Sequence, residues 1–224
     1  MLRSVWGRPP SELTLRVADP VDRGLIRSVA WAPDPAEMAV RPCLGRDHRR
    51  VDEARRSNRL WLSPWEATLP RGAEESLPDL STYRRTSDRQ QREGTGLMMV
   101  VELDGSVAGL ISLSGVQRGA MSQGMLGYWM TQEAAGRGVG ALAVAMVIDL
   151  VIGELGLHRI EVNVRPENSR SLGLCRKLGL RREGLRTRYM NIAGEWADHV
   201  AFAIDAESLP AGGLVRSIWG QTVA

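Results

Sequence analysis

The chain has 224 residues, 43% of them hydrophobic and 25% charged, ordinary values for a globular protein with a full core. A net charge of only +3 fits a phosphorylated ligand, is no nucleic-acid signature by itself, and predicts no direct nucleic-acid binding. Two cysteines, Cys43 and Cys175, cannot build a disulfide framework, which points to a reducing cytoplasm. The first residues lack the apolar core of a signal peptide. The longest apolar run, Val139 to Ile152, is too short to span a bilayer and contains Asp149, so no membrane association is expected. His48, His158 and His199 have no metal-ligand spacing, so no metal is expected.

In chain order, Leu13–Val17 alternates as a strand should, and Ala18-Asp19-Pro20 ends it. Asp22–Ala30 reads as a short helix. Asp47–Leu60 reads as an Arg-rich helix leading into Trp61-Leu62-Ser63-Pro64-Trp65-Glu66. The polar stretch 67–95 holds one more surface helix. Leu97–Leu103 and Val107–Val116 flank Asp104-Gly105, a strong hairpin signal. A strand follows over Gly124–Met130, then a glycine-rich turn and an apolar helix from Ala141 to about Glu154. Leu157–Val164 alternates as a strand, and Asn168–Leu178 is a helix stopped by Gly179. Two last strands, Leu185–Ile192 and Glu195–Ile204, meet at Ala193-Gly194. This order predicts an α/β chain, a mixed sheet with helices on both faces. From Pro210-Ala211-Gly212-Gly213 onward the chain reads as a flexible tail, with Leu214-Val215 and Ile218-Trp219 able to dock on the domain or on a second subunit. Residues 1–209 then form one domain and 210–224 a tail, in a monomer or homodimer.

The most informative segment is Tyr128-Trp129-Met130-Thr131-Gln132-Glu133-Ala134-Ala135-Gly136-Arg137-Gly138-Val139-Gly140. Glycines at a helix start let the backbone approach a ligand and aim unpaired N–H groups at it, and the helix dipole favours an anion there. The pattern is a diphosphate-binding turn. A dinucleotide fingerprint fits poorly: its glycines follow their strand directly, whereas Thr131–Ala135 intervene here, and the third glycine is misplaced.

Ala135-Gly136-Arg137-Gly138-Val139-Gly140 resembles the acetyl-CoA motif of the GNAT superfamily of N-acetyltransferases, Gln/Arg-x-x-Gly-x-Gly/Ala, with Ala135 departing at the first position. His158 to Ser171 and Leu178-Gly179-Leu180-x-x-Glu183-Gly184 look like that superfamily's next strand–helix–strand unit. Asn58-Arg59-x-x-Leu62-x-Pro64-Trp65-Glu66 and Gly194-Glu195-Trp196-x-Asp198-His199 are similar to the RimJ/RimL-type ribosomal-protein alanine N-acetyltransferases. The resemblance, over about residues 11–205, implies a GNAT fold of the α+β type, a mixed, mostly antiparallel sheet of about seven strands flanked by helices. It implies acetyl-CoA as cofactor. Met125, Leu126, Gly127, Tyr128, Trp129 and Met130 would pair with the pantetheine arm, the N–H groups of Gly136, Arg137, Gly138, Val139 and Gly140 would hold the phosphates, and Asn168 would bond the arm, beside Ser171. The implied acceptor is a protein N-terminal α-amine, such as that of a ribosomal protein. Alternatives are a small-molecule amine or aminoglycoside acceptor, or a CoA-binding ribosome-assembly factor with little turnover.

The catalytic groups are less defined. Many relatives carry Glu where this chain has Met125, so the base candidates are Glu66 and Glu161, acting directly or through water. Where many relatives have a Tyr acid this chain has Cys175, and Ser171, matching a serine proposed as the acid in RimL-type relatives, competes with it. Trp65, Glu66 and Trp196 would frame the acceptor. Asp198 and His199 could hold the amine or relay protons, an ordinary structural pair being the simpler reading.

Overall fold

The computed structural model describes residues 4–74 and 76–222. Eight strands form one sheet: β1 (Leu15–Ala18), β2 (Glu37–Pro42), β3 (Leu97–Leu103), β4 (Ser106–Gln117), β5 (Gln123–Met130), β6 (Arg159–Val164), β7 (Arg181–Ile192) and β8 (Glu195–Asp205). Their spatial order is β1-β2-β3-β4-β5-β6-β8-β7. Every neighbouring pair is antiparallel except β5 and β6, which run parallel. The Asp104-Gly105 hairpin forms as expected, with Leu103 opposite Ser106.

The sheet has one strand more than the sequence suggested. In β2, Met38, Ala39 and Val40 are all buried. A strand covered on both faces shows no polar alternation, which is why residues 37–42 carried no strand signal. The helix expected over Asp22–Ala30 is absent. Gly24 takes φ +70°, and Leu25 and Ile26 both donate to the Pro20 carbonyl. Arg27 then donates its N–H to Arg137 O at 2.7 Å, so this segment is a strap tied to the glycine turn.

On one face α1 (Asp47–Ser57) and α3 (Leu80–Glu93) cover a small apolar layer of Cys43, Val51, Met98, Val100 and Leu110. A short α2 (Arg59–Leu62) follows α1. Arg41 pins the start of α1, donating to Asp47 from Nη1 and Nη2 at 2.8 and 2.9 Å and to Glu102 from Nε and the same Nη2, both at 2.8 Å. The larger core lies on the other face, under α4 (Val139–Asp149) and α5 (Ser169–Lys177). Helix α4 is buried at every position from Ala141 to Ile148, and a helix apolar all round needs cover on both sides.

The second cover comes from α6 (Gly213–Trp219), which buries Leu214 and Val215. The Gly212-Gly213 pair that read as flexibility is conformational necessity: φ is +83° and +88°, and a Cβ on Gly213 would lie 2.6 Å from the Asp149 carboxylate. That carboxylate accepts the Leu214 and Val215 N–H groups at 2.7 and 3.0 Å. Replacing Asp149 with Ala should strip both bonds from buried N–H groups, cost about 1–3 kcal/mol, and lower the melting temperature by several degrees in a thermal scan.

Candidate active site

Strands β5 and β6 pair only through Gln123↔Arg159, Gly124↔Ile160 and Met125↔Glu161. Beyond Met125 they part, leaving Leu126–Met130 and Val162–Val164 without partners across the gap. A cleft of about 1370 Å³ runs through this gap and opens on both faces of the sheet. The far end of β5 is held by the segment that carried the Asn58…Glu66 motif. Trp61 Nε1 donates to Met130 O at 3.1 Å, and Asn58 Oδ1 accepts the Gln132 N–H at 2.9 Å. Arg170 lies 4.8 Å over the Trp61 ring, and Arg165 lies 5.9 Å over Trp65 while donating to Pro64 O at 2.9 Å.

At the glycine turn Gly136 and Gly138 have φ +79° and +93°. A Cβ on Gly140 would stand 3.2 Å from Met130 Cγ, so the helix start and strand end are in close approach. Among the described residues, no carbonyl accepts from the N–H groups of 136–141. The Arg137 side chain is buried and turned away, donating to Pro33 O at 2.9 Å and lying 3.5 Å from Asp34. Val139 is likewise buried. Only their backbone can serve an anion.

The strand period sorts the remaining side chains between the faces. Toward α5, Tyr128 OH is 2.6 Å from Ser171 Oγ, and Asn168 Oδ1 caps the helix by accepting the Ser171 N–H at 3.0 Å. Cys175 has no exposed surface and does not line the cleft; burial pushes its thiol up to about 12. Burial raises the Tyr128 phenol as well, the Ser171 hydrogen bond opposing it. Toward α1, Glu66 lines the cleft but accepts from Arg55 Nε at 2.6 Å. Trp65 lines it too, whereas Trp196 is exposed outside it. Met125 Sδ takes the Tyr189 hydroxyl at 3.8 Å.

A family profile described as an acetyltransferase (GNAT) domain matches residues 12–181. The chain belongs to the GNAT acetyltransferases. The [ribosomal protein uS5]-alanine N-acetyltransferase of Escherichia coli is 30% identical over 173 residues, 75% of this chain and 87% of that protein. The structure of Mycobacterium smegmatis RimJ in complex with CoA-disulfide superimposes with a TM-score of 0.71 at 33% identity, covering 78% of this chain and 85% of that one. The probable N-acetyltransferase YjcK of Bacillus subtilis is 37% identical over 101 residues, and the chain spans only 56% of its length.

The GNAT site here fits an acyl-CoA: open N–H groups at 136–141 suit a diphosphate, and the unpaired edge of β5 suits an arm carrying amides. Glu161 sits in an ion ladder rather than facing a substrate alone. Arg159 and Arg186 donate to it at 2.9 and 2.7 Å, and although burial pushes its carboxylate up, these two bonds outweigh that and hold the pKa low. The ladder continues from Arg159 to Glu183, from Glu183 to Arg181 and on to Asp205. His199, weighed from the sequence as an amine holder or proton relay, lines the cleft, and so does Asn163, which the sequence reading did not single out. Asp198 is not paired with His199: it accepts the Arg188 N–H at 2.7 Å, while His199 Nδ1 meets Ala197 O at 3.1 Å.

Two outcomes follow. Gly138→Val forces a β-branched residue to φ +93°, at a cost of about 1–3 kcal/mol, and should weaken CoA binding about tenfold in calorimetry. The ladder should also make the fold acid-sensitive. Glu183 is held at about 2, chiefly by Arg159, and Asp205 at about 2, chiefly by Ser208. Folded values below the unfolded ones mean stability that is complete above the unfolded pKa and lost as pH falls toward 2. Thermal midpoints should therefore drop steadily below about pH 4.5.

Proposed function

We propose that the protein transfers an acetyl group from acetyl-CoA to a protein N-terminal α-amine, in the manner of the ribosomal-protein alanine enzymes it resembles, by direct attack in a ternary complex. The observation that carries this reading is the acceptor side of the cleft. Trp65, Leu77, Leu80 and Tyr83 give it exposed apolar walls. Each acidic residue on that side is already engaged: Glu66 with Arg55 at 2.6 Å, Asp52 with Arg56 at 2.9 Å, and Asp79 with the Thr82 N–H at 2.7 Å. A polyamine or aminoglycoside needs free carboxylates; a peptide terminus with one amine and apolar side chains does not.

Bound acetyl-CoA supplies the activated thioester. The chain's residues then orient and exclude. The N–H groups of 136–141 hold the phosphates, the free edge of β5 aligns the pantetheine arm, and a β5 N–H polarises the thioester carbonyl. Ser171, fixed by Asn168 and Tyr128, delivers a proton on the sulfur side. An α-amine, with an intrinsic pKa of about 7.7–8.0, is partly neutral at physiological pH and so is a feasible nucleophile.

Thiol release should be rapid with an Ala- or Ser-starting peptide and vanish when that terminus is blocked. Faster release with spermine, an aminoglycoside or an internal-lysine peptide would reassign the acceptor. Saturable CoA binding with no release from any acceptor would identify a binding protein. Ser171→Ala should cut kcat by about 10²-fold, the lower range for a lost proton donor, with CoA affinity unchanged.

A further inference from the structure

Asn163 lies on β6 just past the last residue paired with β5. Its Nδ2 and Oδ1 are both buried, and neither has a hydrogen-bond partner. A buried amide with no partner has given up water and received nothing in return, an arrangement that native structures keep for a reason. Asn163 pairs with Ala201 and Val164 with Val200, so His199 is the diagonal neighbour of Asn163 on the same side of the sheet, roughly 7–8 Å away.

That side faces α1 and α3. Ile160, Val162 and Val164 on β6, with Val200, Phe202 and Ile204 on β8, all belong to the core under α4. The alternate positions, Asn163 and His199, therefore face away from it. His199 is buried from bulk solvent yet lines the cleft. Its Nδ1 faces Ala197 O at 3.1 Å, and a carbonyl can only accept, so Nδ1 carries the proton and Nε2 the lone pair. Among the described residues no group bonds Nε2, and the Tyr189 ring, 5.8 Å away, buttresses the imidazole.

We propose that Asn163 and His199 form the acceptor end of the reaction centre. The Asn163 amide holds the incoming α-amine and its first peptide group, and His199 Nε2 takes the proton that nitrogen loses. This assignment rests on the α-amine reading above. The amine nitrogen bonds the acetyl carbon, and the carbon–sulfur bond breaks. One proton passes from nitrogen to Nε2 and on to water. The sulfur receives one through the Ser171 hydroxyl, restored in turn from water. The amine thus arrives on the α1 side, while sulfur departs on the α5 side, where Ser171 and Tyr128 meet.

The charged groups around His199 leave it a neutral base. Burial lowers its pKa most; the Ala197 carbonyl opposes this, Arg165 lowers it further, and Glu167 and Asp198 raise it. Arg186 stands opposite it on β7 beside Tyr189, and the Arg55–Glu66 pair lies farther along the same cleft. A folded value below 6.5 keeps the imidazole uncharged at neutral pH, and kcat should fall only as pH drops through that lowered value.

The test uses the full chain with acetyl-CoA and an Ala-starting peptide at saturation. His199→Gln should lower kcat about 10²–10⁴-fold and erase the acid limb of its pH profile, with CoA affinity unchanged. Asn163→Ala should raise the peptide KM at least tenfold and leave the acetyl-CoA KM alone. Nitrogen-15 NMR of the unmodified protein gives a second readout: the His199 signals should show the Nδ1–H tautomer, titrate below 6.5 and move when peptide is added. His199→Gln with full kcat and an intact acid limb, or an Nε2–H tautomer indifferent to peptide, would overturn the assignment. Failure of the unmodified protein to acetylate any α-amine would instead sink the acceptor reading, so the two failures are distinguishable.

Discussion

The parting of β5 and β6 after Met125 and Glu161 is the constraint on which the rest of the site depends. Backbone groups facing a gap in a sheet must find water or a ligand. The fold keeps the gap open from both sides. Trp61 and Asn58 seize the end of β5 and the residue two beyond it, and the glycine turn packs Gly140 against Met130. On the other bank, the Arg186–Glu161–Arg159–Glu183 ladder ties β6 to β7. The result is a slot with backbone edges, suited to a ligand whose own amides complete the sheet.

A slot through a sheet has two mouths, and strand alternation assigns different chemistry to each. On the α5 side the groups are a hydroxyl pair, Tyr128 and Ser171, above a buried thiol. On the α1 side they are an amide, an imidazole and apolar walls. The direct transfer proposed above needs a proton acceptor near the attacking amine and a proton donor near the departing sulfur, and this division would place one in each mouth without a covalent enzyme intermediate.

Much of this was legible in the residues. The hairpin, the glycine turn with its apolar helix, and the Asn168–Ser171 helix start are local patterns and appear where expected. The Asn58…Glu66 segment was recognisable as a motif, but its work of gripping Met130 and Gln132 is tertiary. What escaped shares one physical character. Strand β2 is buried on both faces and so lacks alternation; the 22–30 strap takes its bonds from Arg137; and Gly212-Gly213 looks like a hinge until Asp149 is placed beside it. Likewise the partnerships of Glu161, and the isolation of Asn163, depend on cross-strand register, which residue spacing within one strand does not encode.

The most direct measurement is a crystal structure with a bisubstrate analogue in which CoA is joined through an acetyl linker to the α-nitrogen of an Ala-starting peptide. The expected result places the diphosphate on the N–H groups of 136–141, the pantetheine arm between β5 and β6, and the peptide on the α1 side against Asn163 and His199. A peptide emerging on the α5 side with the sulfur, or an arm lying outside the gap, would contradict a two-mouthed slot as the basis of the chemistry.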